Sequence, residues 1–470
     1  MTTAIAAVVV LTFALPAEAQ QRGARRSAPA AHAAVSRPSP VNPVAGDAAL
    51  EPSRESVLQS IDEAKVSAEG IRKLAGKHFV LYTDVPSSPE VDELPRVFDL
   101  AVPQLAAYFG VKPQTYDGWR MTGCIMAEKD RFRAAGLMPD SVPEFQHGWS
   151  KGRDLWMNEQ QSAYYRRHLL IHEGTHGFMN TQLGGCGPPW YMEATAELMG
   201  THLWANGQLK LGYMPPSREA FPYWGRIRLI RDAYAKADAR PLPQIVELPP
   251  EAYGENIAYA WSWGVAAFLD AHPRYQSRFR SLGALAGKIS RPEFNQRFRK
   301  LFDRDWIELC EEWQVFVSDV EYGYDVVRGA VDFTPGRTMS DPRTTVKVAA
   351  DRGWQNTRVR LAAGATYRLA ASGRYKLGTK PKDWWCEPGG VSLRYYRGQP
   401  LGVLVGAIRP DEPLLGDTSA LLTPKVIGLG TEWTPEKSGT LFLRINDSGA
   451  ERGDNSGELE VEIAAGPAGP

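Results

Sequence analysis

His172-Glu173-Gly174-Thr175-His176 is the stretch that decides how this chain is read. Residues four apart share one face of a helix, so a helix through it presents two imidazoles to a single metal ion. Glu173 is rotated away from that pair, where its carboxylate reaches a water at the metal. Two histidines leave such a site incomplete, because a catalytic zinc takes three protein ligands and keeps a fourth position open.

The third ligand is expected on the next helix. Gly184-Gly185-Cys186-Gly187-Pro188-Pro189 is a strong breaker, and Trp190-Tyr191-Met192-Glu193-Ala194-Thr195-Ala196-Glu197 follows it. Here the chain resembles the gluzincin metallopeptidases, in which HExxH is followed by a Trp-x-x-Glu-(Gly)-x-Ala stretch whose glutamate completes the zinc site. The resemblance implies Glu193 as third ligand, Glu173 as general base and Glu197, one turn on, as the acid that orients a histidine ligand. Between His176 and Glu193 stand 16 residues, a short loop for the family, and Ala194 occupies a position where glycine is frequent. Related enzymes often stabilise the oxyanion with a tyrosine on a later helix. Tyr259, in the expected helix Asn256–Ala271, is the candidate; Tyr253 competes, and a core tyrosine is the bland alternative.

His168 extends the stripe to three histidines, but it lies roughly 12 Å from His176 along the axis. That is too far to share an ion with ~2 Å bonds, so His168, like His202, reads as solvated or satisfied within the core. Gly174 and Gly177 cost roughly 1 kcal/mol each inside a helix, so something other than propensity must hold the expected helix 163–180. Gly148–Met157 reads as a hairpin about Lys151-Gly152. It is either an edge ribbon that takes an extended substrate, as zinc peptidases commonly have, or an ordinary cover for the core.

Around this centre the pattern predicts a helix from 53 to about 76, a strand at 78–84, a helix at 91–109, a strand at 121–126 and a second metal helix at 190–204. The segment from about His78 to Pro273 resembles peptidase-MA-like proteins, which implies a zincin architecture. The expected fold class is therefore α+β over 53–335, a small mixed sheet plus helices, followed by an all-β sandwich at 340–466. Glu458–Ile463 and Thr440–Ile445 show the period-2 patterning of strands with one apolar face.

Two stretches of the sandwich, Gly390–Gly402 and Asn446–Gly457, resemble the calcium-dependent galactophilic lectin fold. Matched residue by residue, Asp447, Asp454 and Asn455 would give calcium side-chain oxygens and Glu451 a backbone carbonyl, with the cation holding a galactoside. Asn, Asp, Ser and Gly are also what a tight turn requires. Trp384 and Trp385 either stack on sugar or fill the core.

Composition limits the remainder. In 470 residues, 54 Lys and Arg balance 54 Asp and Glu, which gives no basic field for nucleic acid. Residues 1–19 resemble a secretory signal ending at Ala17-Glu18-Ala19, with a short membrane anchor as alternative, and 20–52, rich in Pro, Ala and Ser, reads as a disordered tether. No later run reaches the ~18 apolar residues of a membrane span. Four cysteines permit disulfides, Cys124–Cys186 first among them, or are all buried thiols. These readings converge on an exported or periplasmic zinc peptidase acting on protein, peptide or glycoprotein. The rival from another class is a carbohydrate-binding adhesion protein with a structural or inactive zinc domain.

Overall fold

Alternation of side chains builds the first sheet. In the computed structural model, which describes residues 56–379 and 382–466, strands β1 (Arg72–Ala75), β2 (Phe79–Thr83), β3 (Met121–Met126), β4 (Gly148–Lys151) and β5 (Asp154–Asn158) assemble in the order β1-β2-β3-β5-β4. The pairs β2/β3 and β3/β5 are parallel, while β1/β2 and β4/β5 are antiparallel, so the sheet is mixed and β4 forms its edge. Phe79, Leu81, Met121, Ile125, Leu155 and Met157 face one way, into the main helical core. Tyr82, Cys124, Met126 and Trp156 face the other way and are covered by Phe132, Leu137 and Met138.

The helix Ala163–Phe178, capped by the Ser162 hydroxyl at the Tyr165 amide, lies on the first face. A Cβ on Gly174 would stand 2.1 Å from the Phe98 ring, and one on Gly177 would stand 2.3 Å from the Met121 methyl. Both glycines are therefore sites of close approach, to the helix Leu94–Phe109 and to β3, and tertiary packing holds a helix that propensity disfavours.

Several expectations need correction. The helix expected through residue 76 is only Glu63–Ala68, because Gly70 (φ 70) turns the chain and Arg72–Ala75 pairs with β2. The second metal helix ends at Gly200 rather than 204. Thr201 is extended there, and β6 (His202–Ala205) forms a hairpin with β7 (Gln208–Leu211). Its turn is Asn206-Gly207, both with positive φ, the sequence signature of a two-residue hairpin. Cys124 and Cys186 are not joined; all four cysteines are buried free thiols. Cys124 sits in the core under one face of the sheet and Cys186 in the core above the other, so the sheet separates them. The export signal at 1–19 and the tether at 20–52 lie outside the described residues. None of the described helices is long and apolar enough to cross a membrane.

The C-terminal region is β-rich. One sheet of β8 (Arg343–Ala349), β10 (Tyr367–Ser372), β16 (Gly430–Trp433) and β18 (Glu458–Ala465) runs in the order β16-β10-β18-β8. The other combines β9 (Gln355–Leu361), β13 (Gly389–Tyr396), β14 (Gln399–Pro410) and β17 (Gly439–Ile445), with β15 (Lys425–Val426) on β14; β11 (Tyr375–Lys376) and β12 (Trp385–Cys386) form a separate short pair. Leu361, Leu404, Leu441 and Leu443 of one sheet and Leu369, Leu459, Val461 and Ile463 of the other share one core.

β18 alternates as expected, but all seven residues of β17 are buried. Its second face does not meet water, because Phe442, with Val403 and Val405 of β14, packs against Val315 of the helix Trp306–Asp319 and against Phe333. Asp319 at the end of that helix receives Arg444 and Arg452 at 3.0 Å each and Arg397 at 2.9 Å, and Glu311 receives Arg409 at 2.7 Å. The sandwich is thus fastened to the helical region by an apolar seam with buried ion pairs.

Candidate metal centre

Three elements meet over the mixed sheet: the helix Ala163–Phe178, the helix Pro189–Gly200 and the helix Asn256–Ala271. Pro189 opens the second at its first turn, where a missing N–H costs nothing. The π-turn Met179–Leu183 and the Gly-Pro loop reverse the chain between the first two, which brings Glu193 opposite the histidines.

The Nε2 atoms of His172 and His176 are 3.1 Å apart, and Glu193 Oε2 lies 3.2 Å from the first and 3.5 Å from the second. Ligands bonded at about 2.1 Å around a tetrahedral ion stand ~3.4 Å from one another, so this triangle fits a zinc. Glu193 Oε2 is buried with no hydrogen-bond partner, a costly condition that an ion removes. Burial opposes the charge on His172, yet Glu193 and then Glu197 raise it to about 9. Burial likewise opposes the charge on Glu193, yet His176 and His172 bring it down to about 2. The two shifts describe one buried ion pair, which favours an anionic ligand ready for a cation.

Glu173 stands beside this triangle. Its Oε2 accepts a 2.8 Å hydrogen bond from the Ser150 hydroxyl on edge strand β4, and its Oε1 would lie 2.8 Å from a Cβ on Gly148. The ribbon seen in the sequence is therefore a real hairpin whose edge strand clamps Glu173. Tyr259 sits on the third helix with its ring centroid 6.3 Å from that of His172. Burial, with Glu193 and Glu173 nearby, holds its phenol well above the ordinary value, so it stays a proton donor. Tyr253 is committed elsewhere, since its hydroxyl shares a 2.7 Å hydrogen bond with Ser262.

Behind the ligands, Glu197 is almost wholly buried and is gripped by Arg226 through two hydrogen bonds of 3.0 and 2.8 Å. Burial raises its cost of ionisation, but Arg226 and His168 hold it well below the usual carboxylate range. Its Oε1 lies 3.5 Å from His172 Nδ1 and 3.6 Å from His168 Nε2, close enough to act on both rings by charge but hydrogen-bonded to neither. His168 does not reach the front triangle, but it is fully buried against Glu197 rather than solvated, with neither ring nitrogen hydrogen-bonded. His202 is core-satisfied, with Nδ1 2.7 Å from the Gly200 carbonyl. Ser150, Arg226 and the place of His168 were missed from the sequence; only the histidine stripe itself carried a signal. Two groups among the described residues can hold a metal ion: His172 with His176 and Glu193, and His168 with His172 and Glu197.

In the sandwich, Asp447 and Asn455 of the expected set stand together, joined by a hydrogen bond. Asp447 is buried and accepts hydrogen bonds at 2.7 Å from the Ser448 amide and from Asn455 Nδ2, while burial pushes it up to about 6. Asn455 Oδ1 is buried without a partner. Glu451 and Asp454 are exposed, and the Glu451 carbonyl accepts from the Asp454 amide at 3.3 Å. Trp384 packs on the sandwich core, whereas Trp385 is 48% exposed.

No family model matches the chain, and no curated protein matches it. Among solved structures, it is similar to the EclA N-terminal domain, a PllA-like lectin, with a TM-score of 0.20 and 24% identity over 26% of this chain and 95% of that one. It is also similar to an aminopeptidase N family protein from Idiomarina loihiensis, with a TM-score of 0.26 and 11% identity over 83% of this chain and 68% of that one.

Proposed function

We propose that this chain is a zinc-dependent metallopeptidase of the gluzincin type, with the peptidase domain over 53–335 and a lectin-like sandwich over 340–466. The observation that carries the reading is the triangle of His172, His176 and Glu193 ligand atoms at 3.1–3.5 Å, with Glu173 clamped beside it. These three residues would hold a zinc ion, which would supply Lewis-acid polarisation of the scissile carbonyl and acidify a water. Glu173 takes the proton of that attacking water and returns it to the leaving amine. Ser150 keeps its carboxylate aimed while the proton is away, and Tyr259 donates to the developing oxyanion. Glu197, held by Arg226, keeps His172 in the tautomer that ligates. The export reading of residues 1–19 places the enzyme outside the cytoplasm.

The test is metal content together with peptide release from casein. Wild type should carry zinc and release peptides. Glu173→Gln should keep zinc and lose about 10²–10⁴ in turnover, while Glu193→Ala should lose the metal. An inactive wild type whose zinc content is unchanged by Glu193→Ala would overturn the reading.

We further propose that Asp447, Asp454, Asn455 and the Glu451 carbonyl hold calcium and, through it, a galactoside. The unpartnered Asn455 Oδ1 beside Asp447 supports this. Galactoside binding should then require calcium and vanish in Asp454→Ala; binding that ignores both removes the proposal.

A further inference from the structure

Beside the metal centre lies a cavity of about 610 Å³, within the range of small-molecule sites. Its inner wall is one residue or one contact from the reacting groups. His147 precedes Gly148, whose backbone abuts Glu173. The ring of Tyr165 stacks on His168 at 5.4 Å, and Arg226 is the residue that grips Glu197.

Every charge on the wall already has a partner. Glu159 pairs with Arg166, Arg226 with Glu197 at 2.8 Å and Arg228 with Asp232 at 3.4 Å. Burial holds His147 below its ordinary value, so its ring is neutral at pH 7. What stays free is uncharged: the side-chain amides of Gln146, Gln161 and Asn256 make no hydrogen bond to any of the described residues. Tyr223 stands at the cavity 68% exposed. Its φ of 68 is a conformation a bulky side chain rarely adopts, and backbone strain of this kind clusters at ligand sites.

A charged peptide side chain would find the counter-charges here already paired, and an aliphatic one would displace water from three exposed amides without replacing its hydrogen bonds. Free amides both donate to and accept from hydroxyls, and an exposed aromatic face packs on the C–H face of a pyranose ring. We infer that this cavity receives a neutral saccharide carried on the substrate, so that the enzyme cleaves beside a glycosylated residue. This rests on the peptidase reading above, and it places sugar recognition in the catalytic region rather than only in the sandwich.

Two measurements on the full chain test it. In the first, inactive Glu173→Gln protein is titrated with a neutral N-acetylhexosamine disaccharide by calorimetry. Saturable binding should weaken tenfold or more when Gln161→Ala and Asn256→Ala are added, and should be untouched by Asp454→Ala, which reports the sandwich. No binding, or binding that only Asp454→Ala abolishes, overturns the inference. In the second, zinc-loaded wild type is given one peptide with and without a serine- or threonine-linked sugar. A preference of tenfold or more in kcat/KM for the glycosylated form should disappear in Tyr223→Gly, which removes the ring and relieves the backbone. Equal cleavage of both peptides overturns the inference while the peptidase reading stands. Cleavage of neither overturns the peptidase reading, and the titration then decides the cavity alone.

Discussion

At the scale of single residues, the centre is a front triangle supported by a rear carboxylate. Glu197 is buried, so its charge is tolerable only because Arg226 satisfies both oxygens. Arg226→Met should therefore leave Glu197 to take up a proton and slacken its hold on His172. Loss of such a supporting partner costs about 10–100-fold in metal affinity, which competition with a chromogenic chelator measures; unchanged affinity would show that His172 is positioned without this network. The pentapeptide and Glu193 were legible in the sequence because helical periodicity and a short loop are local properties. Arg226 and Ser150 were not, since they reach Glu197 and Glu173 from 29 and 23 residues away and no spacing rule connects them. His168 stands outside the group of His172, His176 and Glu193, but its axial distance from His176 says nothing about Glu197, which arrives from another helix.

At the scale of elements, the helix Ala163–Phe178 is positioned by the absence of side chains at two points. Gly174→Ala sets a methyl 2.1 Å from the Phe98 ring, which is fully buried and flanked by Phe79 and Trp119. The overlap should cost about 1–3 kcal/mol, more than the roughly 1 kcal/mol that alanine adds to helix propensity. Gly177→Ala meets the flexible end of Met121 and should cost less. Thermal melts of the two variants give the comparison; a Gly177→Ala protein less stable than Gly174→Ala would show that β3, not the neighbouring helix, limits the approach. Elements of strict period, such as Met121–Met126 and Asn256–Ala271, stood where the sequence placed them. Those that failed were decided by turns: Gly70 ended a helix early, and Asn206-Gly207 made a hairpin from what reads as a helix tail.

At the scale of the whole molecule, the sandwich is a fixed partner of the helical region that carries the candidate site. Asp319 is buried together with Arg444 and Arg452, Arg397 reaching it from the surface, and Arg452 belongs to the loop proposed to hold calcium. Ser448 of the same loop donates to Glu321, and a Cβ on Gly449 would stand 2.5 Å from the Tyr324 ring. Burial alone would raise the Asp319 pKa, but Arg444, Arg397 and Arg452 hold it well below its ordinary 3.8. The unfolded chain therefore binds a proton near pH 4 that the folded chain refuses until lower pH. Stability from this group is present above about pH 4 and is lost as pH falls below it. Asp319→Asn should lower stability at pH 7, by about 3–5 kcal/mol for a broken buried pair, and flatten the acid limb between pH 4 and 2. Denaturant melts across that range check it, and an unchanged acid limb would mean that other carboxylates govern acid unfolding.

By itself the sequence determined which side chains the proposed chemistry draws on, the order of helices and strands around them and the change to β-structure near residue 340, because each rests on periodicity or composition within a short window. Tertiary structure alone decided what completes them: the serine that clamps Glu173, the arginine that makes a buried Glu197 affordable, the sheet that keeps Cys124 from Cys186 and the burial of the second face of β17. The reason is physical. Burial and ion pairing depend on which surfaces meet in space, and for contacts across 29 to 133 residues only the folded chain settles that.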